Sequence, residues 1–311
     1  MSWNYDAQAN ARENLQQAAR QGHSPSKKSY GEIMKEKRAA LRTISQKAFQ
    51  EVWGREDAYK ELLDIYERFT LSPVDGSQGA GISNAALIYS QRPNAVCLKM
   101  FDEYNAQHTS ITAGQSAIDL LAPYTTVRNG EPVTFYNPIK VFDVSQTNAK
   151  LSVPQRPEPD PLKIIHAIAN AERFSIDYAD LPDGVGALYI PENDEVLVQD
   201  GQTPHSMCVS LLTEYSHYQL ARANGYQRDH TSVFLACSST YVLARHYGMD
   251  TSEMNFPKEA FPEAEGVGAI KELLSTVASV SKRVAKDIDQ QLSALEQGRS
   301  HREPEAGEVQ R

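Results

Sequence analysis

Apolar side chains recur at steps of three and four residues most clearly in the segments 30–52, 56–69 and 269–295. In the first segment the stripe includes Ile33, Leu41 and Ala48, and in the last it includes Leu273 and Val284. This spacing is typical of amphipathic helices that bury one face. The pattern therefore predicts helices at residues 30–52, 56–69, 83–89, 162–172, 203–223, 232–247 and 269–295.

Two other regions carry short apolar runs separated by turn residues. Asn129-Gly130 is a dipeptide typical of a two-residue hairpin turn, and Glu192-Asn193-Asp194 separates two further runs. We therefore expect a β-rich stretch in the first half of the chain and a hairpin in the second. The runs that predict strands are residues 95–100, 117–121, 133–136, 140–144, 186–191 and 195–199.

Composition divides the chain into two folded parts with flexible ends. Four prolines within residues 153–161 predict a semi-rigid linker at 151–161. The polar residues at the start predict a flexible arm at 1–28, and the charged last residues predict a flexible tail at 297–311. The expected fold class is α+β. A domain of helices and a small sheet at 29–150 precedes a mainly helical domain with a small sheet at 162–296.

The overall composition excludes several classes of protein. A hydrophobic content of 41% over 311 residues fits one large or two ordinary globular domains. Three scattered cysteines (Cys97, Cys208 and Cys237) are too few for a disulfide framework. The sequence has neither an apolar run long enough to span a membrane nor the apolar stretch of a secretory signal. We therefore expect a cytoplasmic protein with reduced thiols and no membrane partner.

Charge is distributed unevenly along the chain. The net charge is -9, but residues 1–60 contain 11 Lys and Arg against 7 Asp and Glu. Residues 151–200 contain 3 against 10. The basic start fits either a nucleic-acid partner or an ordinary solvated helix surface, and the sequence leaves both interpretations open.

Four local strings together resemble the ArdC-type antirestriction proteins. They are SNAALIYSQRPNA at 83–95, VFDVSQT at 141–147, LLTEYSHYQLA at 211–221 and STYVLARHYGMDTS at 239–252. The resemblance covers roughly residues 30–295. It implies an N-terminal domain that binds single-stranded DNA and a gluzincin-like zinc metallopeptidase domain akin to the ImmA/IrrE group. It further implies a protein of plasmids, phages and other mobile elements that protects incoming DNA from host restriction.

The resemblance also indicates where a zinc site would lie. Zinc peptidases of this kind carry His-Glu-x-x-His on a helix, where the histidines bind the metal and the Glu is the general base. Here the string reads Thr-Glu-Tyr-Ser-His, so Glu214 matches the base and His217 a ligand, while Thr213 replaces the first histidine. The family's acidic third ligand falls on Cys237. Neither His205 nor His230 has the spacing of a substitute ligand.

Two interpretations of this motif stay open. The first is a degenerate domain that has lost its zinc and its peptidase activity. The second is a rearranged zinc site on His217 and Cys237, in an active metallopeptidase that cleaves a host restriction or regulatory protein.

Single-stranded DNA is bound by cations that follow the phosphates and by aromatic rings on which bases stack. We expect Lys35, Lys37, Arg38 and Arg42 on the first helix, together with Arg92, to contact phosphates. Candidate stacking residues are Tyr89, Tyr104, Tyr124, Phe135 and Tyr136. For Asn84, Gln91 and Gln146 the sequence leaves open whether they contact DNA or hold loops together.

Overall fold

The computed structural model describes residues 28–74, 77–149, 160–225 and 228–300. Helix α1 (Tyr30–Val52) begins with a capping box in which Ser29 accepts the backbone N–H of Glu32. Helix α2 (Glu56–Tyr66) continues into a π-helical turn (Glu67–Leu71), and helix α3 (Ile82–Gln91) follows a loop. The apolar faces of α1, α2 and α3 pack on one another.

A three-stranded antiparallel sheet completes the first half of the chain. Its strands β1 (Leu98–Met100), β2 (Ile118–Arg128) and β3 (Glu131–Asp143) lie in the order β1-β3-β2, and the short helix α4 (Phe101–Ala106) follows β1. Strands β2 and β3 form a long hairpin closed by Asn129 and Gly130, both with positive φ. This turn conformation is the one that the dipeptide predicts.

The second half is mainly helical around a small mixed sheet. Helix α5 (Pro161–Asn170) precedes strands β4 (Ser175–Ala179), β5 (Ala187–Ile190) and β6 (Glu195–Gln199). Strand β6 lies in the middle, antiparallel to β5 and parallel to β4. Three long helices follow: α6 (Pro204–Asn224), α7 (His230–His246) and α8 (Gly266–Ser300).

The two halves share one buried core. Tyr59 on α2 packs among aromatic rings of the second half, including Phe234, Phe256 and Phe261. Its buried hydroxyl donates to Ser238 on α7 over 2.8 Å. Tyr66 likewise donates to the carbonyl of Ala278 on α8. Buried polar bonds of this kind fix how the helices of one half sit on those of the other.

Several boundaries differ from those that the sequence predicts. The separate strands expected at 133–136 and 140–144 are one strand, β3, because β2 pairs with it without a break from Glu131 to Val141. On the other side of β3, strand β1 pairs only as far as Val141. Pro138 therefore lies where β3 has an open edge, and such an edge tolerates proline. Helix α8 continues to Ser300, so the expected tail at 297–311 begins inside a helix that no proline interrupts. The sequence pattern missed the short α4 and the parallel strand β4.

Other expected features fall mainly outside the described residues. These are the arm at 1–28, of which only Lys28 is described, and most of the linker at 151–161. The last two linker residues belong to α5, because Asp160 caps that helix and Pro161 is its first residue. Within the described part of the chain, no helix combines the length and apolar character needed to cross a bilayer.

Candidate functional site

The Thr-Glu-Tyr-Ser-His string lies in the buried middle of α6. The helix begins at Pro204, where the Thr203 side chain accepts the backbone N–H of Ser206. Glu214 is 2% exposed and His217 is 3% exposed. Both polar side chains are therefore inside the protein, where an unpartnered carboxylate would be costly.

The Glu214 carboxylate is held by a bidentate ion pair with Arg228. Nη1 and Nη2 of Arg228 each donate to a different carboxylate oxygen over 2.8 Å. The backbone N–H of Tyr189 on β5 also donates to Oε2 over 2.8 Å. The Arg228 side chain is 30% exposed. The guanidinium therefore lies between the buried carboxylate and solvent, in the charge-assisted fork geometry that is strongest for such pairs.

Thr213 takes part in a hydrogen bond between two helices. Its hydroxyl donates to the carbonyl of Val209 over 2.9 Å and lies 3.1 Å from the hydroxyl of Thr240 on α7. The position that holds the first histidine of a zinc motif is thus engaged in packing α6 against α7.

His217 and Cys237 are both uncharged at neutral pH. Burial lowers the pKa of His217 to about 4, although the nearby Glu214 opposes that shift. Burial likewise raises the pKa of the Cys237 thiol, and Glu214 raises it further. A metal binds the thiolate, so a raised pKa works against Cys237 as a ligand.

These residues do not fit a metal centre. Catalytic zinc sites use three protein ligands, whereas His217 and Cys237 would supply two and the Thr213 hydroxyl is engaged in hydrogen bonds. His230 lies at the start of α7, where Nε2 contacts the carbonyl of Glu259 at 3.1 Å. Across residues 28–74, 77–149, 160–225 and 228–300, no three His, Cys, Asp or Glu side chains are grouped so as to hold a metal ion.

Sequence reasoning missed Arg228, the residue whose guanidinium pairs with the buried Glu214 carboxylate. It lies in the connection between α6 and α7, immediately before Asp229, which caps α7. A single arginine in a loop carries no spacing signal that would join it to Glu214, fourteen residues earlier on a helix. Only the folded chain brings the two together.

A second histidine, His246, is half-buried and links the two halves of the protein. Its Nδ1 lies 2.8 Å from the Ser72 hydroxyl and 3.8 Å from Glu67, and its Nε2 lies 3.3 Å from Asp289 on α8. Burial by itself lowers the pKa of His246, but the carboxylates of Asp289 and Glu67 outweigh burial and raise it to about 9. The imidazolium is therefore the stable form at neutral pH, in contrast to His217.

Asn84 and Gln91 on α3 bind the backbone of β2. The Asn84 amide donates to the carbonyl of Leu121 over 2.9 Å and accepts its N–H over 3.0 Å. Gln91 makes the same pair of bonds with Asp119, both at 2.9 Å. The two amides thus cover the open edge of the sheet as a neighbouring strand would. Of the two roles that the sequence left open, the structure places both residues in the structural one.

The VFDVSQT string closes β3 around a fully buried carboxylate. Asp143 Oδ1 accepts the backbone N–H groups of Val96 and Cys97, and Oδ2 accepts the backbone N–H and the hydroxyl of Ser145. The side-chain oxygen of Gln146 in turn accepts the backbone N–H of Asp143. Like Asn84 and Gln91, Gln146 holds the backbone in place.

Away from the buried Asp143 and its hydrogen bonds, the β2–β3 hairpin presents exposed aromatic rings. Tyr124 is 57% exposed and Phe135 is 42% exposed, and they are directly opposite each other across the two strands. Directly opposed residues share a face of the sheet, so the two rings form a pair. The exposed Tyr136 lies on the other face.

Helix α1 runs along the same face of the hairpin. Arg38 Nη1 lies 3.5 Å from the side chain of Asn137, which is two residues from Phe135 and therefore on its face. Lys35, Lys37 and Arg42 are exposed on α1. None of these three forms an ion pair with another described residue. We call α1 residues 35–42 together with Tyr124 and Phe135 the hairpin surface.

The other residues expected to contact DNA lie away from this surface or inside the fold. Tyr104 is buried, and its hydroxyl donates to the carbonyl of Cys97, so its ring is not available for stacking. The Tyr89 hydroxyl donates to Glu51, and Arg92 donates to Ser145 beside Asp143. Tyr124 and Phe135 are therefore better stacking candidates than Tyr104.

Comparison with solved structures gives a match to the antirestriction protein ArdC from plasmid R388. The Mn(II)-bound crystal structure of ArdC matches with a TM-score of 0.56, covering 81% of this chain and 98% of ArdC at 12% identity. The chain has the ArdC fold. The metal-free ArdC structure gives a TM-score of 0.48 at 14% identity, covering 68% of this chain and 85% of ArdC.

Sequence comparisons add one distant relative. An uncharacterized Bacillus anthracis protein, pXO2-81, is 22% identical over 285 residues and is matched by 73% of this chain. The chain spans about half the length of this curated relative, 48%. No family model matches the sequence. The comparisons therefore establish the fold of this chain. Its activity has to be inferred from the residues of the site.

Proposed function

We propose that the protein is an antirestriction-type protein of a mobile genetic element and that it binds single-stranded DNA on the hairpin surface. The ArdC fold supports the antirestriction role, and it agrees with the four strings in the sequence. In that role the protein acts in the cytoplasm, where it shields incoming DNA from host restriction enzymes.

The observation that carries DNA binding is the exposed ring pair beside exposed cations. Tyr124 and Phe135 offer two π-faces, and stacking on such faces is tolerant of base identity. Arg38 on α1 contacts Asn137 on this face of the hairpin, and Lys35 and Arg42 lie one helical turn from Arg38 on the same side of the helix. A surface of this kind fits a flexible single strand, whose bases and phosphates are both accessible.

The peptidase-like region around α6 serves as a scaffold in this proposal. The alternative, an active metallopeptidase with a rearranged zinc site, needs Glu214 as a base for a metal-bound water. The bond network of Glu214 with Arg228 and Tyr189 speaks against that role. Zinc is accordingly not a cofactor in the proposed function.

Binding of labelled oligo-dT to the full chain, followed by fluorescence anisotropy over a range of salt concentrations, tests the proposal. We expect binding at about 50 mM salt that weakens as salt rises, because phosphate contacts release counterions. Changing Lys35, Lys37 and Arg42 together to Gln should reduce the slope of log K against log salt by about 0.7 per lost contact.

A matched control for this experiment lies on α8. Lys271, Lys282 and Arg283 are also exposed cations, and they lie on α8 outside the hairpin surface. Changing these three to Gln removes the same charge and should leave the slope unchanged. No binding of the wild type at about 50 mM salt, or equal losses in the two triple variants, would contradict the proposal.

A further inference from the structure

Glu214 is a buried carboxylate in a protein fold of which one member has been crystallised with Mn(II). A carboxylate in the interior needs a positive charge and hydrogen-bond donors close by. In a metal centre the ion supplies that charge. In this chain the two terminal nitrogen atoms of the Arg228 guanidinium instead lie 2.8 Å from the two carboxylate oxygens.

We propose that Arg228 is the built-in cation of this site, so that a salt bridge provides the charge that a bound metal ion would otherwise provide. The guanidinium keeps its charge at every accessible pH and satisfies both carboxylate oxygens in a fixed geometry. The third donor, the backbone N–H of Tyr189, completes the carboxylate's partners. The helical half therefore folds and persists without metal.

The position of Arg228 gives the pair a structural task. Arg228 immediately precedes Asp229, the cap of α7, while Glu214 lies on α6 and Tyr189 on the edge strand β5. One carboxylate thus joins three elements of the helical half. Loss of the guanidinium leaves a buried negative charge at their junction, which is among the more destabilising changes a protein interior can undergo.

Thermal unfolding of full-length variants tests the proposal. Arg228→Met keeps most of the side chain's volume but removes its charge, and we expect its Tm to fall by roughly 5 °C or more. Arg222→Met is the matched control, because Arg222 is an exposed arginine on the last turn of α6 that lies over the ring of Tyr218. Its Tm should change by no more than about 2 °C.

A double variant shows whether Arg228 stabilises the protein through its charge or only through the packing of its side chain. Gln at position 214 is neutral but still accepts the N–H of Tyr189, so Glu214→Gln combined with Arg228→Met removes the uncompensated charge. The double variant should recover at least half of the Tm lost in Arg228→Met. If Arg228→Met does not fold, recovery of a folded double variant supports the proposal, and failure of both variants overturns it.

Metal addition provides the second readout. Wild-type protein treated with a chelator and then titrated with Mn(II) or Zn(II) should keep the same Tm and show no stoichiometric binding by calorimetry. About one metal ion per chain with a rise in Tm would overturn the proposal, as would equal Tm losses in Arg228→Met and Arg222→Met. These measurements involve no DNA, so their outcome is independent of the proposed function.

Discussion

The surroundings of Glu214 on α6 and His246 on α7, which we call the α6 region, differ from the hairpin surface in how charged side chains are used. Around Glu214 and His246, carboxylates and cations are buried or half-buried and are held by opposite charges. On the hairpin surface, Lys35 and Lys37 are exposed to solvent, as are the rings of Tyr124 and Phe135. Charges that are already partnered stabilise the fold, whereas unpartnered ones are available to a ligand. Changes in the first region should therefore alter stability, and changes in the second should alter binding.

The largest expected effect is on the hairpin surface. Changing Tyr124 and Phe135 together to Ser removes two stacking faces, each worth about 1–3 kcal/mol per base, so affinity for oligo-dT should fall by at least about 30-fold. The free energy of unfolding should change by less than about 1 kcal/mol, because both rings are exposed. Anisotropy titration and urea unfolding measure the two effects.

Tyr178 supplies the control for the ring pair. It is 59% exposed on β4, in the other sheet, and thus matches Tyr124 in exposure. Tyr178→Ser should bind oligo-dT as the wild type does. If this variant loses as much affinity as the ring-pair variant, the hairpin surface is not where bases stack.

The next largest effect is a dependence of stability on pH through His246. Asp289, Glu67, Ser72 and Tyr247 surround this imidazole and, on balance, the carboxylates raise its pKa to about 9. A raised pKa in the folded state contributes stability that is complete below the unfolded pKa of about 6.5 and is lost as pH rises through about 9. The loss should amount to roughly 3 kcal/mol at most.

Urea unfolding at a series of pH values above 6.5 measures this loss. His246→Gln is less stable than the wild type near neutral pH but should show a flatter curve between pH 6.5 and 9. A wild-type curve as flat as that of the variant would mean that the carboxylates do not hold a charged imidazole.

The sequence predicts most of the helices and the hairpin because those features depend on local spacing. Residues 30–52 carry a complete apolar stripe, and Asn129-Gly130 specifies its turn without help from the rest of the chain. The string at 211–221 also placed Glu214 and His217 together on one helix, as the structure has them. What these predictions share is that every residue needed lies within a few positions of the others.

The features that sequence reasoning missed depend on contacts between distant segments. Arg228 meets Glu214 only after α6 turns into the following loop, and β4 pairs with β6 across an intervening hairpin strand. Tyr104 resembles any exposed tyrosine in sequence, but its ring is buried against the end of β3. The periodicity of a sequence carries no information about such contacts, so the ion pair between Glu214 and Arg228 could not be predicted.

The smallest expected effect is the effect of a change in the α6 region on DNA binding. Glu214→Gln alters the ion pair with Arg228 but should leave the affinity for oligo-dT within about twofold of the wild type, since the residue is buried in the helical half and is not part of the hairpin surface. The binding measurement is made well below the variant's Tm. A marked loss of affinity would mean that the α6 region contributes to the DNA interface.

Photocrosslinking is the most direct way to find out whether bases of single-stranded DNA stack on Tyr124 and Phe135. A single-stranded oligonucleotide carrying iodouracil is irradiated with the full-length wild-type protein, and the crosslinked peptides are identified by mass spectrometry. We expect crosslinks to Tyr124 and Phe135 on the hairpin, and unlabelled oligo-dT should reduce their yield. Crosslinks confined to α6 and α7 around His217 and Cys237, with none on the hairpin, would contradict the proposal.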